Sequence, residues 1–374
     1  MATDCAAHVE LDVRLLRGER EFDDIVDVWN GLARGMPFRR HEWLATWWRH
    51  FRRPGDELFV PVVHDADGQI MGLAPWYVAR DRVLGRVVRF LGSGKVCSEH
   101  LTMLAADELE DGVARRLAHW LAHEAAPRWD LLDFDGVDGE DPALASLIEE
   151  LSTAGHPVFQ RTRGRTWQAQ LAPTWDEFLA GLSKGRRAKL RAHQRRLIDG
   201  NGVSVLTADE ATLARGLDAF HRLHMARRSS LGDDSCLGLP NFAPFLNEAA
   251  ALFQKLGRLR LQWIEIEGEP AAIEFDLLGD DTLYYYQTGM NPDLAEISPG
   301  WLLQVASVQR AIDEGFLCFD FLRGDEAYKA SWGAEPRPLV QFRVAARRPL
   351  PRLRHSLWLF ARGVKNRLCG KTDC

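Results

Sequence analysis

The chain has 374 residues, 46% apolar and 27% charged, with 47 Lys+Arg against 53 Asp+Glu for a formal charge of −6. This composition excludes disordered, collagenous and coiled-coil classes, and the length suits about two packed domains. No uncharged apolar run approaches the ~18–20 residues that span a bilayer, and the acidic first segment (Asp4, Glu10, Asp12) has no apolar stretch that would make a secretory signal.

Cys5, Cys97, Cys236, Cys318, Cys369 and Cys374 are scattered without a CxxC pair, so reduced thiols and a cytoplasmic location are expected. The charge is uneven. From residue 346 onward eight basic residues face Asp373 alone, a net +7 that leaves −13 on the rest. An acidic body argues against general nucleic-acid binding, and the basic tail points to a dedicated surface contact.

In chain order, residues 9–16 are predicted as a strand and 21–32 as a helix with Phe22, Ile25, Val26 and Trp29 on one face. A Trp-rich helix follows at 41–51. Strands at 58–64 and 70–78 are joined by Asp65-Ala66-Asp67-Gly68, a hairpin signal. Strands at 87–91 and 101–104, a helix at 108–124, a strand at 129–134, a helix at 142–154 and extended chain over 158–170 complete the first half. The second half opens with a basic helix at 183–199, stopped by Gly200-Asn201-Gly202. Then come a strand at 203–207, helices at 209–230 and 241–256, and a meander of strands at 259–267, 271–278 and 282–288. A helix at 299–314, a strand at 318–321, a short helix at 325–332 and a strand at 339–345 end it.

The two halves share one order of elements and a local echo, Leu132-Asp-Phe-Asp-Gly136 against Phe319-Asp-Phe-Leu-Arg-Gly324. This suggests a duplicated α/β unit: residues 1–165, a largely structural half; 166–346; and a tail, 347–374.

The densest chemistry lies between residues 284 and 332. Ser298 is placed to cap a helix that starts at Pro299, and Gly300 lets another group approach the backbone. Free N–H groups and the positive dipole end of such a start suit an anion, including a pyrophosphate. Glu274 interrupts the apolar run 271–278, on the strand face shared with Ala272 and Asp276. Asp320 sits mid-strand between two Phe, where a carboxylate is costly unless paired; it is either a site residue or the partner of Arg323. His224 lies beside Arg227 and Arg228, as a base, a substrate contact or an exposed histidine. The cluster 184–196 is a solvated basic helix face or a grip on phosphates. No His/Cys/Asp grouping has metal spacing, so no metal is expected.

Leu223-His-Met-Ala-Arg227, Gly268-Glu-Pro-Ala-Ala272, Ser298-Pro-Gly300, Phe319-Asp-Phe321 and Gly324-Asp-Glu-Ala-Tyr-Lys329 with Trp332 resemble the GNAT acyltransferase superfamily. They are most similar to the CelD-type, FemAB-related proteins built from two GNAT-like halves. The basic helix opening at Leu182-Ser-Lys-Gly-Arg-Arg187 matches too. The resemblance implies tandem α/β folds, each a mixed, mostly antiparallel sheet flanked by helices. It implies acyl transfer from acyl-CoA, or an acyl-carrier protein, to an amine. The usual phosphate loop, [Q/R]-x-x-G-x-[G/A], is absent as written. On this reading a splay of the strand 284–288 offers backbone N–H to the thioester oxygen. The catalytic candidates are Glu274, Asp320, His224 and Tyr286, and the acyl-CoA contacts are Gln287, Thr288, Ser298, Pro299, Gly300, Trp301, Tyr328 and Lys329.

In the tail, Leu353, Leu357, Phe360, Val364 and Leu368 recur at helical spacing, flanked by Arg354, Arg362 and Lys365 with Trp358 to the side. Residues 350–369 are therefore expected either to lie on an anionic membrane surface or to dock on their own domain. A sphingoid-type long-chain amine is the leading acceptor, bacterial ceramide synthases resembling this group. An amino sugar of an exopolysaccharide, a FemAB-like aminoacyl transfer and a catalytically inactive scaffold are the alternatives.

Overall fold

The computed structural model describes residues 10–16, 18–199, 202–232 and 236–369, with side chains of 198, 199 and 364–369 outside the description. Val364, Lys365, Arg367 and Leu368 of the expected stripe, the Gly200-Asn201 stop and Cys5, Cys369 and Cys374 therefore fall outside it.

The elements run β1 (Asp12–Leu15), α1 (Glu19–Asp23), α2 (Val26–Leu32), α3 (His41–Phe51), β2 (Glu57–Leu58), β3 (Pro61–His64), β4 (Ile70–Leu73), β5 (Trp76–Asp81), β6 (Gly85–Phe90), β7 (Leu104–Ala105), α4 (Glu110–Ala122), β8 (Leu131–Asp138), α5 (Pro142–Thr153) and β9 (Val158–Gln170). Then follow α6 (Trp175–Gly181), α7 (Lys184–Asp199), β10 (Val203–Thr207), α8 (Leu213–Ser230), α9 (Phe242–Lys255), β11 (Leu259–Ile266), β12 (Glu269–Leu278), β13 (Thr282–Met290), α10 (Pro299–Asp313), β14 (Cys318–Arg323), β15 (Glu335–Ala345) and α11 (Pro349–Cys369).

The chain forms two compact units, residues 1–34, 38–164 and 338–374, and residues 35–37 and 165–337. The boundaries differ from the 165/166 and 346/347 expected. β15 pairs antiparallel with β8 from Leu339↔Asp138 to Ala345↔Leu131, which puts the last strand in the first unit, and α11 follows it there. The sequence pattern of an apolar strand does not name its partner.

The first unit holds a small antiparallel sheet, β1-β3-β4-β7, and a larger one, β15-β8-β6-β5-β2. The expected strands 58–64 and 70–78 each split between these sheets. The breaks fall at Phe59-Val60, just before Pro61, and at Ala74-Pro75, where a missing proline N–H interrupts the ladder. The hairpin signal holds: β3 and β4 pair across it, with the Asp65 carboxylate accepting from the N–H of Asp67 and Gln69. The expected helix 21–32 is broken at Asp24-Ile25. Many of the Trp residues fill this core: Trp29, Trp43, Trp76 and Trp129 are fully buried, Trp76 stacking on Phe134 at 5.3 Å.

In the second unit β10, β11, β12 and β13 form an antiparallel meander, and β13 then runs parallel to β14. β14 pairs on its other side with the end of β9. Both units thus contain a parallel strand pair joined through a helix, β6–α4–β8 and β13–α10–β14. The two echoing sequence segments are the second strands of these pairs. Each unit is thus a mixed α/β fold whose main sheet is mostly antiparallel.

Candidate active site

The site grows from the meander. On β12 the apolar Ile273 and Phe275 face α8, Phe275 lying 5.8 Å from Phe220. The alternate residues Glu274 and Asp276 turn to the other face, where the register sets them opposite Gln262 and Arg260 of β11. On β13 the register slips by one residue: Phe275 pairs with Gln287 but Asp276 with Tyr285, leaving Tyr286 as the extra residue of a β-bulge. The parallel pairing with β14 stops at Tyr284↔Asp320, beside that bulge. Beyond it the two strands part, and the expected splay is present.

A cleft of about 350 Å³ opens there. Its floor is Ala272, Glu274, Tyr285, Thr288 and Met290; Ser298, Gly300, Trp301 and Gln304 line it from the start of α10, Tyr328 from the loop after β14 and Arg227 from α8. The aromatic wall is fixed. Trp301 stacks between Trp332 (5.8 Å) and His193 (5.6 Å), with the Lys189 ammonium 3.8 Å over its ring. Trp332 in turn donates its indole N–H to Gln304 Oε1 at 2.6 Å. A Cβ added at Gly300 would find only Met290 Sδ, at 3.7 Å, so this position leaves the cleft open.

Glu274 is 1% exposed. Its Oε2 accepts from Gln262 Nε2 at 3.1 Å, while Oε1 has no protein partner among the described residues. Burial pushes its pKa up to about 7, against the pull of Gln262, Ser307 and Arg260. A carboxylate in that range, facing a cleft, is suited to take a proton from an incoming ammonium.

The sequence of residues 184–330 matches the family model described as Acetyltransferase (GNAT) domain. This stretch is a GNAT-type acetyltransferase domain. No curated protein matches the chain. Among solved structures the chain is similar to FemX (12% identity, TM-score 0.62, covering 91% of this chain and 99% of that one). It is also similar to L-PGS from Bacillus licheniformis (14%, 0.54, 90% and 95%) and to a C-terminal domain from Agrobacterium fabrum named for lysylphosphatidylglycerol synthetase (12%, 0.53, 86% and 92%). At these identities the likeness is one of fold.

Every cleft-lining residue lies within the GNAT match. Of the residues singled out in the sequence, the fold brings Glu274, Thr288, Ser298, Gly300, Trp301 and Tyr328 to the cleft and leaves the others off it. Ser298 does not cap the helix. It is left-handed (φ 59°), its Oγ donates to the Ala295 carbonyl at 3.3 Å, and its own carbonyl accepts from the N–H of Trp301 and Leu302. A capping side chain needs extended backbone. Since Pro299, itself buried, carries no N–H, Gly300 has the first-turn amide that these bonds do not use.

His224 is buried, donating from Nδ1 to the Thr288 carbonyl at 2.8 Å. Burial lowers its pKa to about 4, which makes the ring a weak base, and its Nδ1–H braces β13. Asp320 is fully buried and accepts from Gln168 Nε2 (2.9 Å) and the Leu322 N–H (2.8 Å). These bonds pair the buried carboxylate within its own fold. Lys329 is also buried, donating to the carbonyls of Leu322, Arg323 and Gly324 and pairing with Glu326, so it pins the turn after β14 and is not presented to a ligand. The Tyr286 ring packs on Phe275, and Gln287 does not line the cleft. Sequence reading missed Arg227, the cation on the cleft wall, because a helical arginine carries no sign of which way it faces.

Proposed function

We propose that the chain is an N-acyltransferase that moves an acyl group from acyl-CoA to a primary amine. The carrying observation is Glu274, a carboxyl poised near neutrality on the floor of the cleft between the bulged β13 and the start of α10. The thioester arm lies against Trp301, Leu303 and Met290, while Arg227 and the Gly300 amide suit its phosphates. Backbone N–H groups of the splayed strand face the carbonyl oxygen as it gains charge. Glu274 takes a proton from the ammonium, the free amine attacks the aligned carbonyl, and the thiol leaves.

For the acceptor, we favour a long-chain, sphingoid-type amine at an anionic membrane surface, on the cytoplasmic face. Among the described residues no helix is long and apolar enough to cross a membrane. α11 is docked through one face only: Pro351 and His355 are buried, and the Arg343 guanidinium stacks 3.7 Å over Trp358. Its other face carries Leu350, Leu353, Leu357 and Phe360, each 54% to 72% exposed, beside Arg352 and Arg354. An apolar stripe edged with arginine is the composition that lies at a lipid headgroup boundary. A protein of similar fold is named for lysylphosphatidylglycerol synthetase. The exposed basic face of α7 (Lys184, Arg186, Arg195, Arg196) supports a second reading, an aminoacyl donor carried on RNA.

Thiol release from acyl-CoA tests the first reading, with a soluble amine and with phosphatidylglycerol vesicles carrying a sphingoid base. Release should need the amine. The triple variant L353E/L357E/F360E, changed only at exposed positions, should lose at least about tenfold of the vesicle rate and keep the soluble rate. Equal vesicle rates would remove the membrane reading. Amide formation only with an aminoacyl-RNA donor, which leaves as free RNA and yields no thiol, would replace acyl-CoA with the second reading.

A further inference from the structure

Acyl transfer from a thioester to an ammonium yields an amide, a thiol and one free proton. On the reading above, which this inference extends, that proton ends each turnover on Glu274. It must leave before Glu274 can act again. The cleft is the obvious exit, but during turnover it is filled by donor and acceptor, and Glu274 itself is 1% exposed.

A second way out runs beneath α10. Asp276 follows Glu274 on the same strand face, fully buried, with neither carboxyl oxygen given a protein partner among the described residues. Ser307 of α10, also buried, lies near enough to both carboxyls to pull their pKa values down, without closing a full hydrogen bond to either. Arg260, opposite Asp276 in the register, keeps Nη1 unpartnered while Nη2 pairs with Glu314. Glu314 follows the end of α10 with its side chain 37% exposed, also held by Arg310 at 2.7 Å. So Glu274 Oε1, both Asp276 oxygens, Ser307 Oγ and Arg260 Nη1 form a run of buried polar atoms that leads from the cleft floor to a surface carboxylate. Buried polar atoms are nearly always satisfied, and a run of them that water can bridge has the makings of a proton path. Tyr285 on β13, Tyr328, Arg310 and the cleft-wall Arg227 are the other titratable and charged groups around it.

We propose that Asp276 is a positioning residue that takes the spent proton from Glu274 and passes it along this run to Glu314 and solvent. Glu274 is protonated by the ammonium, Asp276 releases its own proton toward Glu314, and Asp276 is then reprotonated by Glu274, which restores the starting state. Arg260 keeps its charge throughout and holds the two end carboxylates in line.

Asp276→Asn keeps size and hydrogen bonding and cannot carry a proton through. With acyl-CoA and a soluble amine at pH 8, the variant should give a burst of about one product per enzyme at the wild-type rate. Turnover should then run at least about tenfold slower, with the KM values unchanged. Wild type should show no burst. Glu314→Gln, at a partly exposed position, should show the same burst if Asp276→Asn does not fold. An infrared titration of the unliganded protein adds a readout that needs no turnover: wild type should keep a protonated-carboxyl band at pH 8 that Asp276→Asn lacks. Linear progress at the wild-type rate in both variants, a slowed first turnover, or the same band in wild type and Asp276→Asn would overturn the proposal. Failure of the wild type to release thiol from any acyl thioester would instead overturn the acyl-CoA reading, leaving the infrared comparison to decide the role of Asp276.

Discussion

Replacing Glu274 with Gln should lower kcat/KM by roughly 10²–10⁴, the usual worth of a positioned general base, while leaving the affinity for the donor unchanged. In wild type the rate should rise with pH through about 7 and then level, because burial sets the carboxyl there and only its ionised form accepts a proton. The variant should lose that rise. Stability should move the other way. A carboxyl whose folded pKa lies above its unfolded value stabilises the fold fully below the unfolded value, near 4.5, and loses that contribution as the pH climbs through about 7. By pH 8 the buried charge costs the wild type about 3 kcal/mol, which Gln does not incur. The variant should therefore be inactive yet melt higher than wild type at pH 8, with the gap closing toward pH 4. A pH–rate profile and melting curves check both halves.

Gly289→Ala should be the most damaging small change in the second unit. A Cβ there would sit 2.5 Å from the His224 N and 2.7 Å from the Leu223 carbonyl carbon, both backbone atoms of α8. Flexible side-chain ends can swing aside; a helix backbone cannot, so α8 would have to lift from β13. With it would go the His224–Thr288 hydrogen bond and the placement of Arg227 on the cleft wall. A cost on the order of 3 kcal/mol follows, a fall of roughly 10 °C in Tm for a unit of this size, together with a raised KM for the donor. Gly289→Ala can be compared directly with Gly300→Ala, where only Met290 Sδ comes within 4 Å and the fold should be unaffected.

Much of this architecture was legible in the residues because Gly and Pro punctuate them. β9 covers the stretch expected to be extended, β10 the strand expected after the glycine stop, and the elements between 241 and 321 agree within two residues. The failures share a cause: local pattern does not name partners. The strands near Pro61 and Pro75 change sheet, and the strand at 339–345 pairs with β8 of the first unit. At the site, Glu274 could be found because a carboxylate in an apolar strand is conspicuous. The polar residues Arg260 and Gln262 alternate on β11 in the same way, but only the register shows that they face Asp276 and Glu274. Lys329 looked like a ligand contact until three carbonyls turned out to hold it. Ser298 looked like a cap, and its left-handed backbone turns the side chain away.

The claim on which the rest depends is that the donor lies in the cleft beside Gly300. Gly300 has room for a side chain and no positive φ to forbid one, so Gly300→Leu fills the cleft without disturbing the fold. The decisive measurement is the melting temperature of wild type and this variant across a titration of acyl-CoA. A ligand bound only by the folded protein at about 100 times its Kd stabilises by about 2.7 kcal/mol. The account expects a rise of several degrees in wild type and none in Gly300→Leu. A flat wild-type titration, or an equal rise in both proteins, would contradict it.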